Sequence, residues 1–167
     1  MEIRKSRVED LDRMMEIFAA ARAFMAANGN PDQWGDGYPA LAVLEEDIAL
    51  GRSYVVVEDG KVVGTFVFFV GHEPVYDVIT NGAWHAGQPY GVIHRVASDA
   101  TTRGVGRACF DFCATQADYI RIDTHEKNLP MQQALKRYGF QRCGDVVYEP
   151  GKERIGFDYV ENKMRAH

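Results

Sequence analysis

The stretch that decides the fold reads Arg95-Val96-Ala97-Ser98-Asp99-Ala100-Thr101-Thr102-Arg103-Gly104-Val105-Gly106-Arg107-Ala108. Its pattern predicts a strand, a short turn and a helix that begins at the two glycines. The first turn of a helix presents free backbone N–H groups and the positive end of the helix dipole. Gly104 and Gly106 leave no Cβ atom in the way of a ligand. The junction therefore predicts an anion site, for which a pyrophosphate is the natural occupant.

Two better-known phosphate motifs do not fit this junction. A P-loop requires a lysine directly after its last glycine, and no lysine follows Gly106. A dinucleotide-binding fingerprint requires a third glycine, at the position that Cys109 occupies. An ordinary alternative stays open, in which Gly104 and Gly106 merely turn the chain in a structural or dimerisation domain.

Composition and charge restrict the class of protein. The chain has 167 residues, 46% apolar and 26% charged, which is typical of a globular protein. We therefore expect a single domain over residues 1–167. The net charge is −5 and no basic stripe occurs, which argues against nucleic acid as a partner. The longest apolar stretch, residues 62–70, is too short to span a bilayer, and the charged N-terminus is not a signal peptide.

The cysteines indicate the compartment. They stand at positions 109, 113 and 143, are odd in number and form no CxxC pair. Cys109 and Cys113 are four residues apart on a predicted helix, where they pack as small hydrophobes. Free thiols are typical of a reducing compartment, so we expect a cytoplasmic protein. We expect no bound metal and no membrane association.

Apolar periodicity and turn residues predict the other elements. Ser6 and Glu9 match a capping box at the start of a first helix, which ends near Asn28. Asp59-Gly60 is a strong hairpin signal, and Asn128 can cap a helix that ends at Gly139. The predicted strands are residues 2–5, 54–57, 61–69, 90–98, 119–124, 141–148 and 154–160, and the later helices are residues 41–50, 104–118 and 130–138. This order predicts an α/β (α+β) fold with one mostly antiparallel sheet and helices on both faces.

Over nearly its whole length the chain resembles the GNAT superfamily of N-acetyltransferases. Four separate features carry the resemblance: the capped first helix, the Asp-Gly hairpin, the glycine junction, and the segment from Asp123 through Asn128 to Gly139-Phe140. The junction from Arg103 to Ala108 fits the acyl-CoA signature Arg/Gln-x-x-Gly-x-Gly/Ala of that family. The chain is most similar to uncharacterised bacterial members with Asp-Thr-His-Glu before the Asn and a Trp-containing early loop.

The resemblance implies transfer of an acetyl group from acetyl-CoA to a primary amine of a small molecule or peptide, by direct attack in a ternary complex. The junction would then hold the pyrophosphate, and the strand before it would pair with the pantetheine arm. A backbone N–H near Ala97 would polarise the thioester carbonyl. Asn128 has two readings, a contact to the same arm or a plain helix cap. The expected cofactor-binding residues are Val96, Ala97, Ser98, Arg103, Gly104, Val105, Gly106, Arg107, Ala108 and Asn128.

Three residues are candidates for acid–base chemistry. An alkylammonium must lose a proton before it attacks, which costs about 4 kcal/mol at neutral pH. His94, next to the cofactor strand, is the first candidate for the base, and its alternative is a structural histidine paired with a carboxylate. His125 with Asp123 and Glu126 is the second, and these acids could also serve only to cap and solvate. Many family members have a tyrosine acid where this chain has Leu135, so the acid role is left unfilled.

The acceptor end is expected to be formed by aromatic residues of the irregular segments, which bind a cation or an apolar face of the substrate. An equal alternative is that they are lids packed on the core. The candidates are Trp34, Tyr38, Tyr76, Trp84 and Tyr90. A homodimer stays open. The alternative function is that of a non-catalytic acyl-CoA-binding sensor or interaction domain, which the leucine at position 135 keeps open.

Overall fold

One seven-stranded sheet organises the computed structural model, which describes residues 1–35 and 37–161. The strands are β1 (Glu2–Lys5), β2 (Ser53–Glu58), β3 (Lys61–Val70), β4 (Gly91–Ser98), β5 (Tyr119–Thr124), β6 (Gln141–Val147) and β7 (Glu153–Val160). The helices are α1 (Leu11–Ala27), α2 (Leu41–Ala49), α3 (Val105–Gln116) and α4 (Leu129–Tyr138), with 3-10 turns at Val8–Asp10 and Pro74–Asp77. The predicted mixed fold is confirmed, with element ends within a few residues of those expected.

The middle of the sheet is where it opens. The strand order is β1-β2-β3-β4-β5-β7-β6, and among these pairs only β4 and β5 run parallel. Their pairing is limited to Gly91 with Ile120 and Val92 with Arg121. Beyond Val92 the two strands part, so the facing backbone groups of β4 and β5 are left for another partner. The mostly antiparallel sheet that the sequence predicts is therefore split at its single parallel pair.

A bulge in β4 lies beside this opening. Thr65 of β3 pairs with Ala97, whereas Val67 pairs with His94, so β4 contains one extra residue between the two pairs. Arg95, inside the bulge, has a φ of 51°, in the left-handed region. Bulges redirect side chains next to binding sites. Here the bulge places both His94 and Arg95 on the wall of the opening.

The two faces of the sheet bury different helices. Because side chains alternate along a strand, Val56 packs with α3 and α4 while Val55 packs with α1 and α2. Cys109 and Cys113 are fully buried on the same face of the sheet as Val56, as the helical spacing predicts. Leu135 of α4 is also fully buried there. Helices thus cover both faces, and the opened strands lie between two packed layers.

The predicted capping box at the first helix is wrong. The carboxylate of Asp10 accepts the N–H of Arg7 at 2.8 Å, and a 3-10 turn precedes α1. Ser6 is instead buried, and its hydroxyl accepts a hydrogen bond from Ser53 at 2.7 Å. The reason is tertiary, because Ser6 follows β1 directly and its N–H pairs with the carbonyl of Ser53.

Within residues 1–35 and 37–161, helices that could cross a membrane are absent, since none is both long and apolar enough.

Candidate active site

The gap between β4 and β5 opens into a cavity of about 640 Å³. Both strands contribute to its wall, together with the loop after α1, strand β3 and the β6–β7 turn. The lining residues are Met25, Asp32, Gln33, Trp34, Gly35, Tyr38, Asp47, Arg52, Val67, Phe69, Glu73, Ile93, His94, Arg95, Val96, Ile122, Asp123, Thr124, Asn128, Met131, Tyr148, Glu149, Lys152 and Arg154. A volume of this size suits a small ligand.

A histidine–carboxylate pair stands on the β4 wall. Nε2 of His94 is 2.9 Å from Oε2 of Glu73, and both side chains are largely buried. Glu73 is held in turn by its backbone N–H, which donates to the hydroxyl of Tyr90 at 2.8 Å. The hydrogen bond from His94 holds the pKa of the Glu73 carboxyl below its ordinary value, against the effect of burial. Glu73 therefore stays ionised at neutral pH and orients the imidazole.

Asp123, at the end of β5, stands on the opposite wall between two tyrosines. The hydroxyls of Tyr76 and Tyr148 both donate to Oδ2 of Asp123, each at 2.6 Å. Burial and the Asp123 charge raise the pKa of both tyrosines, so both remain protonated donors. No cation pairs with Asp123 in the part of the chain that the structure describes. The cavity thus contains a carboxylate that hydroxyl groups hold but no positive charge neutralises.

Two cations of the cavity, Arg95 and Lys152, pair with carboxylates. The guanidinium of Arg95 binds both carboxylate oxygens of Asp47, at 2.9 and 2.7 Å, and donates to the hydroxyl of Tyr38 at 3.0 Å. Lys152 pairs with Glu149 at 2.8 Å. Two-point contact between a guanidinium and a carboxylate fixes geometry as well as charge. Arg95 therefore fastens helix α2 and the loop tyrosine to the bulge of β4.

Of the five expected acceptor residues, only Trp34 and Tyr38 line the cavity. Trp34 packs edge-on against Phe18, at 5.5 Å between ring centroids. Tyr76 and Tyr90 are buried, and their hydroxyls contact Asp123 and the backbone of Glu73. The ring of Tyr76 also lies beside that of His94, with 6.2 Å between centroids. Trp84 also packs inside the protein, with Arg121 4.5 Å above its ring.

The glycine junction lies at the start of α3, as the sequence predicts. Gly104 precedes the helix with a φ of 84°, in the left-handed region. Gly106 has open space where a Cβ would be, so packing within the described protein does not require a glycine there. The first-turn N–H groups have no partner inside the helix. The positions of Arg103, Gly104, Val105, Gly106, Arg107 and Ala108 are therefore compatible with an anion at this end of α3.

A carboxylate shapes the turn before that junction. Asp99 accepts the N–H groups of Thr101 and Thr102, at 3.0 and 2.8 Å, and the hydroxyl of Thr102 at 2.9 Å. Burial alone would raise the pKa of Asp99, but these hydrogen bonds lower it to about 2. A carboxyl whose pKa is lowered by folding stabilises the protein above its ordinary pKa, and this contribution is lost as the pH falls through the folded value.

We predict that Asp99→Asn lowers the free energy of unfolding by about 1–2 kcal/mol at neutral pH, as for a lost side-chain cap. The difference from the wild type should shrink between about pH 4 and about pH 2, where the native carboxyl takes up its proton. Urea unfolding at several pH values measures both effects. Asp59→Asn, in the exposed hairpin turn, is the control and should keep the wild-type pH dependence. A constant difference at all pH values would contradict the assignment.

The remaining cofactor candidates divide into two groups. Val96 and Asn128 line the cavity, whereas Ala97 is buried against α1 and Ser98 accepts the N–H of Ala100 in the turn. Asn128 is confirmed as a helix cap, because its Oδ1 accepts the N–H of Met131 at 3.2 Å. Its amide nitrogen donates to Oε1 of Gln33 at 3.0 Å. Asn128 therefore caps α4 and also lines the cavity, where its amide nitrogen is bound to Gln33.

His125 stands apart from His94. It lies in the turn after β5, where its Nδ1 accepts the N–H of Lys127 at 3.0 Å, and it does not line the cavity. Burial and the charge of Arg154 lower the pKa of His125.

The sequence did not indicate Tyr148 as a site residue, because its only local signal is its place just after β6. Nor did the sequence indicate that Glu73 is the carboxylate that pairs with His94.

The comparisons with known proteins agree with this geometry. A GNAT-family acetyltransferase of Streptococcus agalactiae has a solved structure that superimposes with a TM-score of 0.84. It is 34% identical to this chain, and the match covers 96% of this chain and 95% of the other.

More distant structures share the fold alone. A GNAT-family acetyltransferase of Bacillus cereus is 19% identical, covers 96% of each chain and has a TM-score of 0.64. A ribosomal-protein-alanine N-acetyltransferase of Brucella melitensis is 15% identical, covers 96% of this chain and 99% of its own, and also has a TM-score of 0.64. No family model matches the sequence, and no curated protein does.

Proposed function

Because this chain belongs to the GNAT family of acetyltransferases, we propose that it moves the acetyl group of acetyl-CoA to a primary amine of a small molecule or peptide by direct attack in a ternary complex. The observation that carries the proposal is the parting of β4 and β5 over a cavity with His94–Glu73 on one wall and Asp123 on the other. This arrangement offers an open strand edge for a thioester and ionisable groups for an amine.

The cofactor would enter along β4 and end at α3. The free N–H groups at the start of α3 would bind the pyrophosphate of acetyl-CoA, since a helix N-terminus favours an anion. The side chain of Arg107 is exposed, and its nearest carboxylate, that of Asp111, is 3.9 Å away. An exposed ion pair at this distance is weak, so the guanidinium can turn toward a phosphate. Beyond Val92 the open edge of β4 would pair with the amides of the pantetheine arm. The thioester would then lie near Val96.

The chemistry begins with proton removal from the acceptor. His94 accepts a proton from the bound ammonium, and the freed amine attacks the thioester carbon. The carbonyl electrons move to oxygen, where a backbone N–H of β4 stabilises the oxyanion. When the carbonyl re-forms, the carbon–sulfur bond breaks and CoA leaves as a thiolate. The nitrogen loses its second proton to solvent, which leaves the neutral amide. Glu73, ionised and 2.9 Å from His94, stabilises the imidazolium that forms.

The leaving group needs little help from the protein. A thiol has an ordinary pKa of about 8.5, so the thiolate leaves without a strong acid beside it. This agrees with the fully buried Leu135, which cannot donate a proton. We assign no acid to this reaction, and the proton on His94 can return to the thiolate or pass to solvent.

The acceptor would be a cation when it binds. Asp123 can offer its Oδ1 to the ammonium in the cavity, because the hydroxyls of Tyr76 and Tyr148 both donate to Oδ2. A hydrogen bond between charged groups is stronger than one between neutral groups. Trp34 and Tyr38, both in the loop between α1 and α2, add aromatic surface to the cavity wall. A primary ammonium on a small or peptide scaffold fits these groups.

The first test measures the reaction directly. Acetyl-CoA and a panel of primary amines are incubated with the protein, and release of free thiol is followed. Amine-dependent release supports the proposal. Tight CoA binding with no release for any amine would indicate the acyl-CoA sensor instead. Absence of CoA binding by calorimetry would indicate a structural domain.

The glycine junction gives a second prediction. Gly106→Asp places a carboxylate against the expected pyrophosphate, so CoA affinity should fall tenfold or more, or about 1.4 kcal/mol. The variant should fold, because a Cβ at Gly106 meets no atom within 4 Å. Gly87→Asp is the matched control, since its Cβ also meets open space and it lies in a loop near the opposite, C-terminal end of α3. Equal CoA affinity in the two variants, measured by calorimetry, would refute the assigned cofactor site.

A further inference from the structure

A second cluster of reactive side chains lies outside the cavity. It consists of His85, from the segment before β4, with Cys143 of β6 and Asp158 of β7, whose ligand atoms all lie within 4.8 Å of one another. Sγ of Cys143 is 3.4 Å from Nδ1 of His85, and that nitrogen is 2.7 Å from Oδ1 of Asp158. The 3.4 Å separation matches that of neighbouring ligands about 2.0–2.3 Å from a tetrahedral ion, and the 2.7 Å separation would lengthen by about half an ångström when an ion enters.

The fold brings these three residues together through backbone contacts. Ala83 donates its N–H to the carbonyl of Cys143 at 3.0 Å, so the loop runs directly over β6. Gly82 is required there, because a Cβ would collide with the Cys143 carbonyl. Cys143 and Asp158 are buried, whereas the His85 side chain is 41% exposed. The cluster is therefore preformed and has one side open to solvent.

The carboxylate is oriented as metal-bound carboxylates are. Oδ2 of Asp158 accepts the backbone N–H of His85 and the hydroxyl of Tyr119, both at 2.8 Å. Tyr119 is fixed in turn by Arg121, whose Nε donates to its hydroxyl at 3.1 Å. These bonds leave Oδ1 directed toward the imidazole and the thiol. Supporting hydrogen bonds of this kind orient the ligands of metal sites.

The three donor atoms are of the types that zinc-class ions bind. Nδ1 of His85 lies near both of the other atoms, Sγ of Cys143 and Oδ1 of Asp158. Thiolate sulfur, imidazole nitrogen and carboxylate oxygen are all ligands of zinc in proteins.

We propose that His85, Cys143 and Asp158 bind one divalent ion of the zinc class, separate from the acetyl-transfer site. Bonds form from Nδ1, Sγ and Oδ1 to the ion, and a water completes the tetrahedron on the exposed side. The thiol proton of Cys143 leaves to solvent, and the proton between Nδ1 of His85 and Asp158 moves through solvent to Nε2, so that the imidazole binds as a neutral ligand. No oxidation state changes. The ion would tie the 81–89 segment to β6 and β7. The proposal differs from the sequence-based expectation of no bound metal.

Cobalt titration tests the proposal, because Co²⁺ bound to a thiolate gives a near-ultraviolet charge-transfer absorption. We expect the intact protein to bind one Co²⁺ with this absorption and to lose it when Zn²⁺ is added. Cys143→Ser should abolish the absorption. Cys109→Ser, which changes a buried thiol elsewhere, is the matched control and should keep it. Tyr119→Phe removes only the orienting hydroxyl and should weaken Co²⁺ binding about 10- to 100-fold.

The outcomes that overturn the proposal are equally definite. Absence of the absorption at saturating Co²⁺, or its survival in Cys143→Ser, shows that these residues form only a hydrogen-bonded anchor for the loop. Should Cys143→Ser fail to fold, His85→Asn replaces it, because His85 is half-exposed and outside the core. Unchanged Co²⁺ affinity in folded His85→Asn would overturn the proposal as well.

Discussion

Turnover should fall about 10²- to 10⁴-fold when His94 is replaced by glutamine, which is the usual contribution of a general base. Glutamine keeps a polar side chain beside Glu73 but cannot accept the amine proton. In the wild type the rate should rise with pH as the imidazole loses its proton, and this rise should vanish in the variant. Steady-state rates at saturating amine, measured across pH with acceptors of different pKa, separate ionisation of the enzyme from that of the substrate.

His72→Gln is the matched control for this prediction. His72 also contacts a carboxylate, Asp77, at 2.8 Å, but it lies on the surface outside the cavity. Its variant should keep the wild-type rate and pH profile, and CoA affinity should be unchanged in both proteins. If His94 has only a structural role, His94→Gln will instead lower the melting temperature and keep the pH profile. In that case the base would be water, because His125 does not line the cavity.

For Asp123→Asn we expect kcat/KM for a charged amine to fall about 10- to 100-fold, because a hydrogen bond to a charged group contributes about 1.5–3 kcal/mol. The loss should appear mainly in KM for the amine, while CoA affinity stays constant. An aromatic amine, which is uncharged at neutral pH, should lose much less. Initial rates for the two acceptor types measure the difference.

Tyr148→Phe serves as the control for Asp123→Asn. It removes one of the two hydroxyl donors but leaves the carboxylate, so the effect on the charged amine should be smaller. Equal losses for charged and uncharged amines in Asp123→Asn would show that Asp123 positions the wall of the cavity and does not bind the ammonium. An unchanged KM would remove Asp123 from the acceptor site.

Local signals were enough for the elements that turn residues and apolar periodicity define. The Asp59-Gly60 hairpin, the cap at Asn128 and the left-handed Gly139 all lie where the sequence predicts them. The first helix was predicted correctly but its cap was not, because the hydroxyl of Ser6 is hydrogen-bonded to Ser53, a residue far away in the chain. A local motif fails when a distant partner takes its side chain.

The candidate site divides in the same way. His94 was selected from the sequence for its place beside the cofactor strand, and Asp123 as a companion of His125. Their partners were not, since Glu73 lies in an irregular segment and Tyr148 ends a predicted strand without any motif. Tyr76 looked like a loop aromatic, yet it is buried and holds Asp123.

By itself the sequence determined the order of strands and helices, the family likeness and the glycine junction, because each depends on residues close together in the chain. The tertiary structure alone decided where β4 and β5 part, which carboxylate faces His94, and how His85 meets Cys143 and Asp158. Those outcomes depend on how the 71–89 segment packs across the sheet. Packing of that kind is set by contacts between residues distant in sequence, and no local pattern encodes it.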